Sequence, residues 1–227
     1  MFQKNRENRR RIREYRQASR GDRMTNRDKW RQIIGGLEFE MDTDRLGAFM
    51  DAVVAIIMTI LVLELEKPEH MSWQALWDLR ANFFAYILSF AWLGAMWINL
   101  HYDWKLVQKT TRKTAWAMMN LLLWSSFLPY ATNIMARDFN NSTAQIFYGI
   151  IIFAITISME WLYRSLEFEE ADSEEMKYYQ AFRQISLQRD MVSKAVSLLL
   201  SIFVYPPFMS IGILFGLIVI TIPRELR

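Results

Sequence analysis

The chain has 227 residues, of which 52% are apolar and 15% aromatic, with nine Trp and no Cys. That is too apolar and aromatic for an ordinary soluble domain, and the lack of Cys excludes disulfides and thiolate metal sites. The formal net charge of +3 hides a gradient: residues 1–44 are almost wholly polar, whereas residues 45–227 are mostly apolar blocks joined by short polar connections. This is the composition of an all-α integral membrane protein with several spans.

Residues 1–31 carry twelve Lys and Arg against four acids, Glu7, Glu14, Asp22 and Asp28. Beside membrane spans, an anionic leaflet is the expected partner of such a run, ahead of nucleic acid. With few apolar residues, 5–34 read as a solvated helix or as disorder, and Gly35-Gly36 marks a joint. The basic start is followed by no apolar segment for about forty residues, so the first apolar run is expected to serve as its own insertion signal.

Six apolar stretches come next, and six transmembrane helices are expected. They cover Leu46–Leu65, Phe83–Leu100, Ala115–Met135, Ile146–Leu162, Met191–Tyr205 and Phe208–Ile222. Roughly 20 residues cross a ~30 Å hydrocarbon core, so the first four are long enough. The fifth spans only if it begins near Ser186, which brings Lys194 within snorkelling reach of the interface. Pro206-Pro207 predicts a tight hairpin between the last two, the alternative being one kinked helix. Residues 165–190 read as a partly amphipathic linker helix, acidic first with Glu167, Glu169, Glu170, Asp172, Glu174 and Glu175.

The positive-inside rule orients this arrangement. With both termini in the cytoplasm, all but Lys67, Arg80 and Arg137 of the 27 Lys and Arg lie inside. Residues 1–44 then form a cytoplasmic extension and 45–227 the membrane unit.

The first stretch has two faces on a helical wheel. Phe49, Ala52, Thr59, Ile60 and Leu63 all fall within about 60° of Ile56, whereas Asp51 lies about 140° away. One face is thus an apolar stripe broken by a single hydroxyl, and the other presents a carboxyl group. The stripe is either a pore wall or a helix-packing face. An intramembrane aspartate needs partners. Trp97, His101 and Asn120 lie at a similar depth in the second and third stretches, so a cluster with Asp51 is expected, as glue between three helices or as a proton relay. Arg45 precedes Asp51 by six residues, so the two do not pair along one helix face. Glu64 and Glu66, at the outer end, form either an acidic ring between chains or a solvated helix end. Catalytic motifs such as a P-loop, HExxH or GxSxG do not occur, and no enzyme activity or cofactor is expected.

The string Arg45-x3-Phe49-Met50-Asp51-Ala52-Val53-x-Ala55-Ile56-x2-Thr59-x3-Leu63 resembles the signature of the transmembrane protein 175 family, the endosomal and lysosomal potassium channels and their bacterial relatives. That signature reads RxxxFSD ahead of an apolar pore helix; Met50 stands where the family has Ser. Ser89-Phe90, Trp97, His101, Asn120-Leu121 and Leu128-Pro129-Tyr130 resemble the family's later segments, so the likeness takes in 45–227 as a single-repeat bacterial chain.

The resemblance implies a homotetramer in a bacterial plasma membrane, conducting K⁺ along an axis lined by four copies of the first helix. By position it makes Ile56 the apolar constriction, Thr59 a selectivity layer, and Ile60 and Leu63 the continuing wall. Arg45, Phe49 and Asp51 become a packed motif network joined by Trp97 and His101. The competing readings are a proton-coupled transporter that uses Asp51 and His101, and a non-conducting membrane scaffold.

Overall fold

A computed structural model describes residues 42–168 and 172–221. The expectations for the basic tail, for Gly35-Gly36 and for Glu169 and Glu170 lie outside these residues.

Helix α1 (Thr43–Ile60) starts where the Asp42 side chain accepts from the backbone N–H groups of Asp44 and Arg45, and it tightens into a 3-10 turn at Leu61–Glu64. A short α2 (Trp73–Asp78), capped by Ser72, leads into α3 (Arg80–Lys105). The third apolar stretch, expected as one span, is two helices: α4 (Arg112–Ser126) and α5 (Leu128–Arg137). Pro129 lacks the N–H that would continue α4, so the chain restarts at Leu128. Then come α6 (Ser142–Arg164), α7 (Glu174–Phe203) and α8 (Phe208–Thr221). The described residues thus hold eight α-helices, the short α2 among them.

The linker helix expected at 165–190 is also corrected. Residues 107–109 and 167–168 pair as antiparallel strands β1 (Val107–Lys109) and β2 (Glu167–Phe168), clasping the α3–α4 and α6–α7 connections. The helix beyond starts at Glu174 and runs without a break into the fifth apolar stretch. Its polar first half and apolar second half conceal that continuity in the sequence. The Pro206-Pro207 connection does make a hairpin, in which Ser201 Oγ donates to the Pro206 carbonyl at 2.7 Å and α7 and α8 lie side by side.

Three segments are each long and apolar enough to cross a membrane: Thr43–Glu64, Arg80–Lys105 and Ser142–Arg164. Lipid tails are as apolar as a protein core, so helices in a membrane associate through close packing and buried polar contacts. Both devices appear. A Cβ on Gly212 of α8 would meet Ser197 Oγ of α7 at 1.8 Å, so only glycine permits that approach. Ser89 of α3 bonds both Thr132 of α5 (2.8 Å) and Tyr148 of α6 (2.9 Å). Ser210 of α8 donates to Gln145 of α6 at 2.9 Å.

The snorkelling route expected for Lys194 is not taken. Lys194 is 1% exposed, ion-paired with Asp190 one turn earlier, donating to Thr156 Oγ1 at 2.8 Å and lying 4.8 Å from the Trp92 ring centroid. A counter-ion, a hydroxyl and an indole face inside the bundle hold the ammonium better than a stretched route to water.

Candidate functional site: the first helix and its supports

Helix α1 is amphipathic with respect to the bundle. Leu46, Met50, Val54, Ile57 and Leu61 recur at helical spacing and are buried. The other face is uncovered in the subunit. Phe49, Ala52, Ile56, Thr59, Ile60 and Leu63 are all exposed, Ile56 at 57% and Leu63 at 78%. Thr59 Oγ1 donates to the Ile56 carbonyl at 2.8 Å. The stripe is therefore continuous, apolar and marked by one hydroxyl.

Asp51 lies on the other side of α1, half-buried, and accepts from the Trp97 indole N–H of α3 at 2.8 Å. The His101 ring lies one turn on from Trp97, with ring centroids 5.5 Å apart and a 30° tilt. Among the described residues His101 adds a ring face to this group and no hydrogen bond. Asn120 does not join it: its amide donates to Ser158 Oγ at 2.7 Å, tying α4 to α6. A hydroxyl on the adjacent helix competes successfully for that amide. Arg45 is exposed and, among the described residues, forms no ion pair. Met50, at the position where the signature has Ser, is packed in the core at 1% exposure.

At the far end the two acids have different surroundings. The Glu66 carboxylate pairs with Arg137 at 3.0 Å, which opposes the reading of Glu66 as a free member of an acidic ring. Glu64 is half-buried, and its backbone carbonyl accepts from Asn133 at 2.8 Å.

Two supports of this site escape sequence reasoning. The Trp104 indole donates to the Thr43 carbonyl at 3.1 Å and lies against Gly47, where a Cβ would come within 2.6 Å of Nε1. Its one signal in the sequence is a glycine early in an otherwise bulky helix. The second support is Asp103, 1% exposed, which takes a forked contact from Arg183 (Nε at 3.0 Å and Nη2 at 2.7 Å from Oδ2) and the Tyr179 hydroxyl at 2.6 Å. Burial, then the Asp103 carboxylate, pushes the Tyr179 phenol well above its usual range, so it stays a hydrogen donor. The polar half of α7 is thereby bolted to the end of α3 that carries Trp97, His101 and Trp104.

Parts of this chain resemble known proteins. Residues 45–129, which contain most of α1 and Trp97, His101 and Asn120, match the family Endosomal/lysosomal potassium channel TMEM175. The match takes in 85 of the 227 residues. The sequence likeness expected across 45–227 is thus matched by the family model as far as residue 129. A potassium channel of Chryseobacterium sp. (strain P1-3) is 40% identical over 121 residues, 52% of this chain and 63% of the relative. A potassium channel of Chamaesiphon minutus is 31% identical over 134 residues, 55% of this chain and 66% of that one. The matches span just under two thirds of these relatives' lengths. The crystal structure of a lysosomal potassium-selective channel TMEM175 homolog from Chamaesiphon minutus superposes with a TM-score of 0.63 at 24% identity, covering 79% of this chain and 98% of that one. That likeness concerns the fold, and it extends beyond residues 45–129 to most of the chain.

Proposed function

We propose that this chain is a passive, potassium-preferring cation channel, with four copies arranged so that their α1 stripes line a common axis. The observation that carries the reading is the uncovered Ile56–Thr59–Ile60–Leu63 face on a helix whose opposite face is locked into the subunit. Its place within the residues that match TMEM175 and the relatives named potassium channels support it. A ring of Ile and Leu makes a dry constriction, which opens and closes by wetting. No carbonyl-lined filter segment of the TVGYG kind occurs in the chain, so discrimination rests on pore width and the Thr59 layer.

The remaining parts of the reading come from charge. Each of the six apolar stretches crosses the membrane once, α4 and α5 together making the third crossing. In this reading the membrane is a bacterial plasma membrane, both termini lie in the cytoplasm and the basic tail lies against anionic lipid, which the distribution of Lys and Arg supports. Asp51, turned from the stripe and held by Trp97, acts in this reading as a clamp that orients the pore helix.

Flux of K⁺ into liposomes containing the purified protein tests the reading. Ile56→Asn is expected to raise basal flux by wetting the constriction, and Thr59→Ala to narrow the preference for K⁺ over Na⁺. No K⁺ flux, or flux indifferent to both substitutions, would sink it.

A further inference from the structure

We propose that the cleft between the cytoplasmic ends of α4 and α6 binds the headgroup of an anionic phospholipid. The proposal rests on the membrane placement of the proposed function but not on ion conduction.

The two helices are antiparallel neighbours whose ends are fixed at one level, because Thr114 Oγ1 near the start of α4 donates to the Ser165 carbonyl at the end of α6 at 2.9 Å. The cleft holds about 590 Å³ and is lined by Lys113, Trp116, Trp161, Arg164 and Ser165. The order along each helix is the same. A cation sits at the helix end, Lys113 on α4 and Arg164 on α6. An indole lies three residues deeper, Trp116 and Trp161, exposed by 64% and 49%. Cations at headgroup level with indoles one turn inward are the arrangement an interfacial site requires.

The local charge is positive. Arg164 pairs with Glu160, but the Glu160 side chain is only 13% exposed whereas that of Arg164 is 61% exposed. A guanidinium has five N–H donors, so donors remain for a phosphate oxygen. Lys113 is exposed and forms no ion pair among the described residues. Deeper in the membrane, exposed Met119 and Leu123 of α4 and Ile157 of α6 continue the indole surface as an apolar track for acyl chains. A phosphate alone would leave both indoles uncovered. A phospholipid covers them.

Native mass spectrometry of the full-length protein, released from micelles holding equal phosphatidylglycerol and phosphatidylcholine, tests the site. Wild type is expected to retain phosphatidylglycerol in preference. Lys113→Gln with Arg164→Gln should lower the retained phosphatidylglycerol by about one molecule per subunit, whereas Lys177→Gln with Arg189→Gln, the same charge removed from α7, should not. Equal loss in both pairs, which marks diffuse attraction, would overturn the site, as would wild-type retention in the first pair. Lys113→Gln alone changes an exposed first-turn residue and leaves the Arg164–Glu160 contact in place; undiminished retention in it overturns the proposal independently of any folding defect in the double variant.

Discussion

The Trp97 indole N–H reaches across from α3 to the Asp51 carboxyl group on α1 at 2.8 Å, and in the proposed reading this bond helps to set which face of α1 turns away from the bundle. Asp51 and Ile56 lie on opposite sides of one helix, so holding the first presents the second. In that reading the bond is an orienting device rather than a proton relay.

Removing the donor should therefore loosen α1. Trp97→Phe keeps an aromatic ring against His101 but leaves the Asp51 oxygen without its partner, at a cost of about 1–3 kcal/mol. Asp51→Asn keeps an oxygen acceptor and is expected to cost less. Thermal unfolding in detergent orders the two variants, and the reverse order would remove the orienting role from this bond.

Gly47 and Gly94 make a matched test of close packing. An Ala at Gly47 collides with the Trp104 ring that bonds Thr43, whereas a Cβ at Gly94 meets only the mobile end of Met58 at 3.5 Å. Gly47→Ala should be destabilising and should alter the exposure of Trp104, read by fluorescence quenching. Gly94→Ala, inside α3, should be neutral or stabilising by about 0.5–1 kcal/mol.

The Asp103–Arg183 contact should prove far more sensitive than a surface pair. Both side chains are largely buried, and Arg183→Gln leaves the carboxylate without its forked partner, at a cost of about 3–5 kcal/mol. Arg183→Lys, a point charge in place of a planar fork, is expected to recover only part of that. Hydrogen exchange localises the effect: protection of residues 174–186 should fall before that of α6.

Lys194 and Asp190 should behave as a unit. Lys194→Met strands Asp190, whose side chain is 8% exposed, and should cost about 3–5 kcal/mol. Lys194→Met combined with Asp190→Leu should regain most of this loss, because an apolar pair avoids the desolvation penalty altogether. A melt of the double variant no better than that of the single one would show that the pair does more than neutralise itself.

Much of this molecule is legible in its sequence, and the failures share a cause. Long, predominantly apolar stretches announce α1, α3 and α6 because a membrane demands length and hydropathy, both local properties. The wheel of α1 separates Asp51 from the Ile56 stripe for the same reason. The features that stay hidden are non-local, or masked by composition. Arg183 and Asp103 are 80 residues apart, and no spacing rule joins them. The β1–β2 clasp spans too few residues to show periodicity. Asn120 bonds Ser158 rather than the Asp51 group, since depth along a helix says nothing of azimuth. Lys194 is the instructive miss. Asp190 stands four residues before it, and an opposite charge at that interval entering an apolar run is a visible sign of a buried pair.

The Thr59 hydrogen bond carries a last consequence. Its proton is committed to the Ile56 carbonyl within its own helix, so the side chain offers its surroundings oxygen lone pairs and a methyl group, with nothing to donate. On the axis proposed for this stripe, a passing anion would meet no hydroxyl donor from Thr59, whereas a cation shedding water would meet a girdle of replacement oxygens. The sign of the permeant charge would then be settled by a rotamer rather than by any charged residue.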